Sequence, residues 1–458
     1  MEEDNLLLMT DSYKQSHWKQ YPEGTTSVYS YFESRGGEFP ETVFFGLQYF
    51  IKRYLEGQVV TKEKIDEAES YFKPHMGIFN RKGWEYIFKV HGGKLPVRLK
   101  AVPEGTIVPV KNVLMTIENT DPNCFWLTNF LETILVQVWY PTTVATISRE
   151  CKKVIANYLA QTSESLDGLP FKLHDFGCRG VSSMESAGIG GAAHLVNFMG
   201  TDTVPALVVA RKYYGENMAG YSIPAAEHST ITSWGRNDEL AAFNNMLTQY
   251  PSGLVAVVSD SYDIYNACTN LWGGKLKTQV IGRNGCVVVR PDSGEPTETV
   301  PEILRRLWTA FGGTTNSKGH KLLDPHIRVI QGDGVNLGSI GAILEAVKKA
   351  GFSTDNLAFG MGGALLQQLN RDTQRFAFKA SHVVVNGEGR DVYKQPVTDS
   401  GKTSKRGKFS LIHGGDGSIQ TVPYSNYYGE EDMLRVVLEN GVSYNNSTLA
   451  EIRAKASL

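Results

Sequence analysis

Cys286 to Gly294 read CVVVRPDSG, and this stretch sets the terms for the fold. Val287, Val288 and Val289 form a run that is apolar on both faces, as in a strand buried within a parallel sheet. Arg290 and Asp292 are its polar tip, and Pro291 fixes the turn between them. An Arg–Asp pair there either caps a strand or works in a site, and the motif alone does not choose between the two. Asp292 is well suited to accept hydrogen bonds from vicinal hydroxyls such as those of a ribose.

The same construction recurs along the chain. HDFGCRG (His174 to Gly180), GTDT (Gly200 to Thr203), PAAEHST (Pro224 to Thr230), VSDSYD (Val258 to Asp263), VIQGDG (Val329 to Gly334) and AFGMGG (Ala358 to Gly363) each close an apolar run. They fall roughly 25 to 40 residues apart, about one strand-loop-helix unit. In a barrel of parallel strands, the residue just past each strand points into one shared mouth.

The expected fold is α/β: an irregular barrel over residues 151–385, with an additional α+β domain built from N- and C-terminal segments. Residues 1–150 supply the N-terminal part, and residues 386–458 are expected to pack back on it. Strand candidates in the barrel are KLHDF, ALVVA, LVAVVSD, CVVVRPD, IRVIQGD, NLAFG and FAFKA, with helices such as SIGAILEAVKKAG between them. Before the barrel, TTSVYSYFESR reads as a strand, Glu41 to Leu55 as an amphipathic helix, and Leu95 to Thr120 as antiparallel β structure. Long helices broken near Pro141 follow, and near the C-terminus EEDMLRVVLENG reads as a helix.

Bulk properties narrow the class. The chain has 458 residues, 41% hydrophobic and 21% charged, as in an ordinary globular protein. A net charge of -2 gives no broad attraction to nucleic acid or to an anionic membrane, so any anion selectivity must be local. Five cysteines without a CxxC pair suit a reducing compartment, and the acidic N-terminus does not read as a signal peptide. A cytoplasmic enzyme is expected, without membrane or nucleic-acid partners.

The polar tips suggest chemistry. Phe176 beside Arg179 offers a sandwich for a flat heteroaromatic ring. Asp202 offers an acceptor for an amide NH2. His228, beside Glu227, is a candidate nucleophile or catalytic base. Asp260 and Asp263 read as a metal site or a substrate-hydroxyl site, with Asp260 or Ser261 as the N-cap of the helix that follows as the plainer alternative. Gly332 with Asp333, and Gly362 with Gly363, read as phosphate cradles. GALLQQLNRD follows as a helix carrying Arg371 about two turns along. No Walker A loop or GxGxxG fingerprint occurs, and no residue is assigned as a standing metal ligand. The cluster Lys394, Lys402, Lys405, Arg406 and Lys408 reads by itself as a solvated loop.

Taken together, DSYKQSHWKQYP, YFESR, ETVFFGLQY, AVPEG, HDFG-RG, GTDT, PAAEHSTIT, VSDSYDIYNA, RPDSG, RVIQGDGV and AFG-GG resemble the nicotinamide phosphoribosyltransferase family over almost the whole chain. The resemblance implies a type II phosphoribosyltransferase barrel. It also implies attack of the nicotinamide ring nitrogen on 5-phosphoribosyl 1-pyrophosphate, with Mg2+, giving nicotinamide mononucleotide and pyrophosphate. By resemblance, Phe176 and a partner subunit's Tyr13 stack on the ring, Arg290 lies along it, and Asp202 accepts from the carboxamide. Asp260 and Asp292 face the ribose and pyrophosphate region, while Gly332, Asp333, Gly362, Gly363 and Arg371 surround the ribose and its phosphate. Arg35, Lys379, Lys394 and Lys402 match further phosphate contacts, some given across a homodimer interface. His228 matches the histidine phosphorylated when ATP, as co-substrate, drives the reaction forward.

Cys178 stands where the family has an aromatic residue, Ala256 where some members have Ser, and the loop after Arg35 is shortened to Gly36-Gly37. These changes are expected to leave the reaction intact and to bear on inhibitor affinity and fine nicotinamide contacts. Two alternatives stand beside this reading: nicotinate phosphoribosyltransferase, and a non-catalytic nucleotide-binding homologue.

Overall fold

The computed structural model describes residues 4–398, 402–424 and 432–458, which divide into two compact units. One unit comprises Ile147–Ala210, Asn217–Leu369 and Leu458. Its centre is a parallel sheet in the spatial order Gly200–Thr201, Leu173–Asp175, Leu357–Met361, Ile327–Gln331, Asn284–Arg290 and Ser252–Val258. The segment 221–225 joins the two outer strands. Tyr221 bridges Gly200 and Ala225 bridges Ala256, with Thr201 N–H donating to the Tyr221 carbonyl (3.0 Å) and Ala256 N–H to the Pro224 carbonyl (2.9 Å). The sheet is thereby closed into a barrel.

Closure explains the valine runs. Ala256, Cys286, Val288 and Ile330 form one buried cluster, with Phe176, Ile223 and Ala358 packed on it. Their neighbours Val255, Val257, Val287, Val289 and Val329 point to the opposite face and are buried there too. The crossover helix Pro296–Phe311 buries Val300, Ile303, Leu304 and Leu307; the next, Leu337–Lys349, buries Ile340, Ile343, Leu344 and Val347. Both are i, i+3, i+4, i+7 stripes. Asn336 opens the second helix with a capping box, and Gly351, at φ +82°, turns the chain back after it.

Several local expectations are corrected. ALVVA lies inside the helix Val204–Tyr214, with Pro205 in the first turn and Arg211 and Lys212 in the last. A short apolar run does not distinguish strand from helix by period. The helix after Gly362 lasts only from Gly363 to Leu366; Asn370 then caps a separate turn, Arg371–Thr373, which belongs to the other unit. Glu41–Val43 is a strand paired with Ile107–Pro109, and helical turns begin only at Leu47, after Gly46 at φ 106°. Within EEDMLRVVLENG, Glu430 and Glu431 lie outside the described residues and Arg435–Glu439 is a strand. Asn440 and Gly441, at φ 51° and 75°, make the hairpin turn that leads on to Val442–Ser443.

The second unit comprises, among the described residues, 4–146, 211–216, 370–398, 402–424 and 432–457. Its seven-stranded sheet is antiparallel throughout and centred on Thr25–Ser34, flanked by Phe376–Val385 and Val113–Asn119. FAFKA, expected in the barrel, therefore belongs here. Its alternating burial is that of an antiparallel strand rather than of a parallel core strand. Phe376 stacks on Phe32 at 5.2 Å across this pairing. Among the described residues of both units, no helix is long and apolar enough to cross a membrane.

Glu104 is a buried acid in the second unit. Its Oε1 accepts the Gln48 backbone N–H at 2.6 Å, yet burial outweighs that bond and raises its pKa to about 7. A folded pKa above the unfolded value means that its stabilising contribution is present below about pH 4.5 and is lost as pH rises through 7. Replacing Glu104 with Gln is expected to flatten the fall in unfolding free energy between pH 5 and pH 8 by about 3 kcal/mol. Denaturant titrations at the two pH values read this directly, and equal slopes for both proteins would contradict it.

Candidate active site

Each barrel strand delivers its last residues to one end. The Leu173–Asp175 strand ends on buried Asp175, whose Oδ1 accepts the Gly177 N–H at 2.7 Å and whose pKa burial raises to about 6. That bond shapes the turn carrying Phe176, whose own N–H donates to the Met361 carbonyl at 3.0 Å. The Phe176 ring lies directly on the backbone of Gly360, where an added Cβ would come within 1.9 Å of Cε2. Gly360 is thus what allows the aromatic ring to lie across the barrel. The ring partner of Phe176 is His174, with centroids 5.3 Å apart, while Arg179 stands exposed on the turn Cys178–Gly180.

His174 has a second contact. Its Nε2 lies 2.9 Å from Asp202 Oδ1, and the Ser222 hydroxyl donates to the same oxygen. Burial alone would raise the pKa of Asp202, but the bonds from His174 and Ser222 and the charge of Arg290 hold it below the usual carboxylate range. Both bonds fall on Oδ1, which leaves Oδ2 to a ligand.

Asp260 ties together three neighbouring tips. Oδ1 meets His228 Nε2 at 3.0 Å; Oδ2 accepts the Asp292 N–H at 2.9 Å and the Ser293 hydroxyl at 2.5 Å. Burial opposes ionisation, but these bonds prevail and the pKa is lowered. Asp263 separates from this group: its Oδ1 accepts from Tyr265 N–H and Asn266 N–H, so it is Asp263, rather than the expected Asp260 or Ser261, that caps the following helix. Arg290 Nη2 stands 3.6 Å from Asp292 Oδ2, and its buried Nε has no hydrogen-bond partner. Gly332 lets the chain pass close to both Phe176 and Asp292, since a Cβ there would sit 3.3 Å and 3.4 Å from them. Next to it, the Asp333 carbonyl accepts from Gln331 Nε2 at 2.8 Å. Gly363 has open space where a Cβ would be, at the surface that follows Met361.

The basic candidates belong to the second unit, where Tyr13, Arg35, Arg371, Lys379 and Lys402 line one cavity of about 750 Å³. Burial lowers the Lys379 pKa; Glu132 opposes this, and Arg35, Lys394 and Arg371 add to it. Arg35 Nε and Nη2 are buried without hydrogen-bond partners. Lys394 is outside the cavity wall; its carbonyl accepts the Ser404 N–H and its own N–H donates to the Ser404 hydroxyl oxygen, at 2.9 Å each.

His91, Asp121 and Cys124 also lie within mutual ligand distance. The Asp121 oxygens there already accept from Tyr86, His91 and Asn123, and burial pushes the Cys124 thiol to about 12. That group is a packed cap. Sequence reading gave no role to Ser222 and Ser293, the hydroxyls that secure Asp202 and Asp260. Ser293 lies within RPDSG, whereas Ser222 sits in the closing segment, which carries no strand signature.

The chain is similar to known proteins along almost its whole length. Residues 171–441 match the nicotinate phosphoribosyltransferase family, and residues 5–99 match the nicotinamide phosphoribosyltransferase N-terminal domain. A nicotinamide phosphoribosyltransferase of Xanthomonas campestris is 53% identical, over 99% of this chain and 98% of its own length. One from Acinetobacter baylyi is 36% identical, over 98% of this chain and 97% of its own. A Pyrococcus furiosus nicotinate-nucleotide pyrophosphorylase shares the fold at TM-score 0.63 and 17% identity, covering 100% of this chain and 96% of its own. Human nicotinic acid phosphoribosyltransferase does so at TM-score 0.62 and 15% identity, covering 98% and 93%. A closed parallel barrel with aromatic, acidic and imidazole tips, and relatives this similar along their full length, place the chain among the phosphoribosyltransferases, in the nicotinamide phosphoribosyltransferase family.

Proposed function

We propose that this chain transfers the 5-phosphoribosyl group of phosphoribosyl pyrophosphate to the ring nitrogen of nicotinamide. The nitrogen forms a bond to ribose C1 as the C1–O bond to pyrophosphate breaks, and that electron pair leaves with pyrophosphate. The observation that carries the choice of substrate is Asp202: an ionised carboxylate near Phe176, with Oδ1 engaged and Oδ2 open. Such an acceptor takes an N–H of a carboxamide and repels a carboxylate, which disfavours nicotinate.

The remaining roles follow from charge. Phe176 supplies a face for the pyridine ring, and Arg290 lies along it. Asp260 and Asp292 stabilise the positive charge that grows on the ribose as pyrophosphate departs. Gly332, Asp333, Gly362, Gly363 and Arg371 surround the ribose and its phosphate. Arg35, Lys379, Lys394 and Lys402 hold phosphate oxygens, some of them in a partner subunit's site together with Tyr13. Asp260 and Asp292 suit Mg2+, which takes one or two carboxylates alongside substrate phosphates and would neutralise the leaving group. The pyridine nitrogen needs no base, so positioning supplies much of the rate.

We further propose that ATP phosphorylates His228. In the tautomer that donates Nε2–H to Asp260, Nδ1 carries the lone pair, 3.9 Å from Asp292 Oδ2, the arrangement of an oriented nucleophile. Nδ1 takes the γ-phosphoryl group and ADP leaves.

Incubation with phosphoribosyl pyrophosphate, Mg2+ and either nicotinamide or nicotinate, with and without ATP, is expected to give nicotinamide mononucleotide as the main product. Dominant nicotinate mononucleotide would overturn the ring-pocket reading, and no product from either would favour a binding role. Asp202→Asn should lower the nicotinamide-over-nicotinate ratio of kcat/KM by about 10- to 100-fold, the worth of a charged hydrogen bond; an unchanged ratio sinks the assignment. Gly360→Ala should raise KM for nicotinamide through displacement of Phe176 while sparing KM for phosphoribosyl pyrophosphate. His228→Ala should keep basal transfer and lose ATP-linked enhancement, and continued ADP release during turnover would exclude the histidine.

A further inference from the structure

Along Thr25–Ser34, Tyr29, Tyr31 and Glu33 alternate onto one face of the sheet. All three reach the same stretch of chain. Tyr29 Oη accepts the Phe409 N–H at 3.1 Å, and Tyr31 Oη accepts the Lys405 N–H at 2.8 Å. The Glu33 carboxylate, 3% exposed, binds the Lys405 ammonium through Oε2. Its Oε1 stands 3.7 Å from Arg35 Nε, close enough to attract the guanidinium and too far for a hydrogen bond. Arg35 therefore keeps Nε and Nη2 without protein partners while it lines the cavity with Lys379 and Lys402.

We propose that Glu33 is a positioning residue for the phosphate-binding side of the reaction. It holds Arg35 by charge without consuming the guanidinium donors, because Lys405 occupies its other oxygen. Lys405 is outside the cavity wall, so its part in anion binding is indirect. This rests on the phosphoribosyltransferase reading but concerns only how the cavity takes an oxyanion.

The sign of one substitution separates the possible roles. Glu33→Gln removes a negative charge near an anion site, so through-space electrostatics alone predicts tighter binding of pyrophosphate. Positioning predicts the reverse, weaker by about tenfold, the low end of what the outer partners of a site contribute. A merely structural role would lower the melting temperature and leave the affinity of the folded protein unmoved. The measurement is calorimetric titration of the full-length protein with inorganic pyrophosphate and Mg2+, which needs no turnover, together with KM for both substrates.

The expected result is loss of pyrophosphate affinity, a matching rise in KM for phosphoribosyl pyrophosphate, and an unchanged KM for nicotinamide. Tighter or unchanged pyrophosphate binding overturns the proposal. Glu33→Asp, which keeps the charge but shortens its reach toward Arg35, gives a second test should the first variant not fold. With the charge retained, through-space electrostatics predicts no change and positioning predicts weaker pyrophosphate binding, so no change overturns the proposal. If the wild type binds pyrophosphate but forms no mononucleotide, the functional reading fails while the Glu33 comparison still decides. If it binds no pyrophosphate, the proposal falls.

Discussion

The barrel depends on a five-residue segment with almost no regular structure of its own. Residues 221–225 join the strands Gly200–Thr201 and Ser252–Val258, and through that join the polar tips come to face one mouth. An open sheet of the same strands would leave Asp202 and Asp260 at opposite edges, each beside unpaired backbone. With closure, Ser222 comes onto Asp202 from the joining segment itself, and His228 follows it directly onto Asp260. The constraint that completes the fold also finishes the site.

Much of this was legible in the sequence where local rules agree. The valine runs, the glycine that ends Leu337–Lys349 and the polar strand tips each follow from burial or from turn chemistry. What was not legible depended on distant partners. ALVVA has the composition of a strand, yet Pro205 and the basic last turn start and end a helix there. FAFKA has the alternation of an antiparallel strand, but only its pairing with Thr25–Ser34 shows which sheet it joins. For RVVLE the signal was present in Asn440-Gly441, a strong short-range mark of a hairpin.

The same division runs through the site. Asp260 and Asp263 were indistinguishable as letters, three residues apart. The structure separates them by what each accepts: Asp263 two backbone amides of its own helix, Asp260 groups from two other strand tips. Ser222 was illegible because a serine in an irregular segment carries no signature until the barrel closes.

Several of the groups proposed to act on a ligand keep hydrogen-bonding capacity unused, although Asp260, engaged on both oxygens, is held in the site by its neighbours instead. Asp121 has donors on both oxygens and serves as a cap. Asp202 has both of its donors on one oxygen, Arg290 keeps a buried Nε without a partner, and Arg35 keeps two such nitrogens. A buried donor without a partner is unfavourable unless a ligand supplies the acceptor. Such vacancies on both cations and carboxylates fit a pair of substrates in which one carries phosphate oxygens and the other an amide. With a net charge of only -2, the chain draws neither by its overall field. Selectivity therefore rests on these few atoms, and on the neighbours that hold each in place while leaving it free.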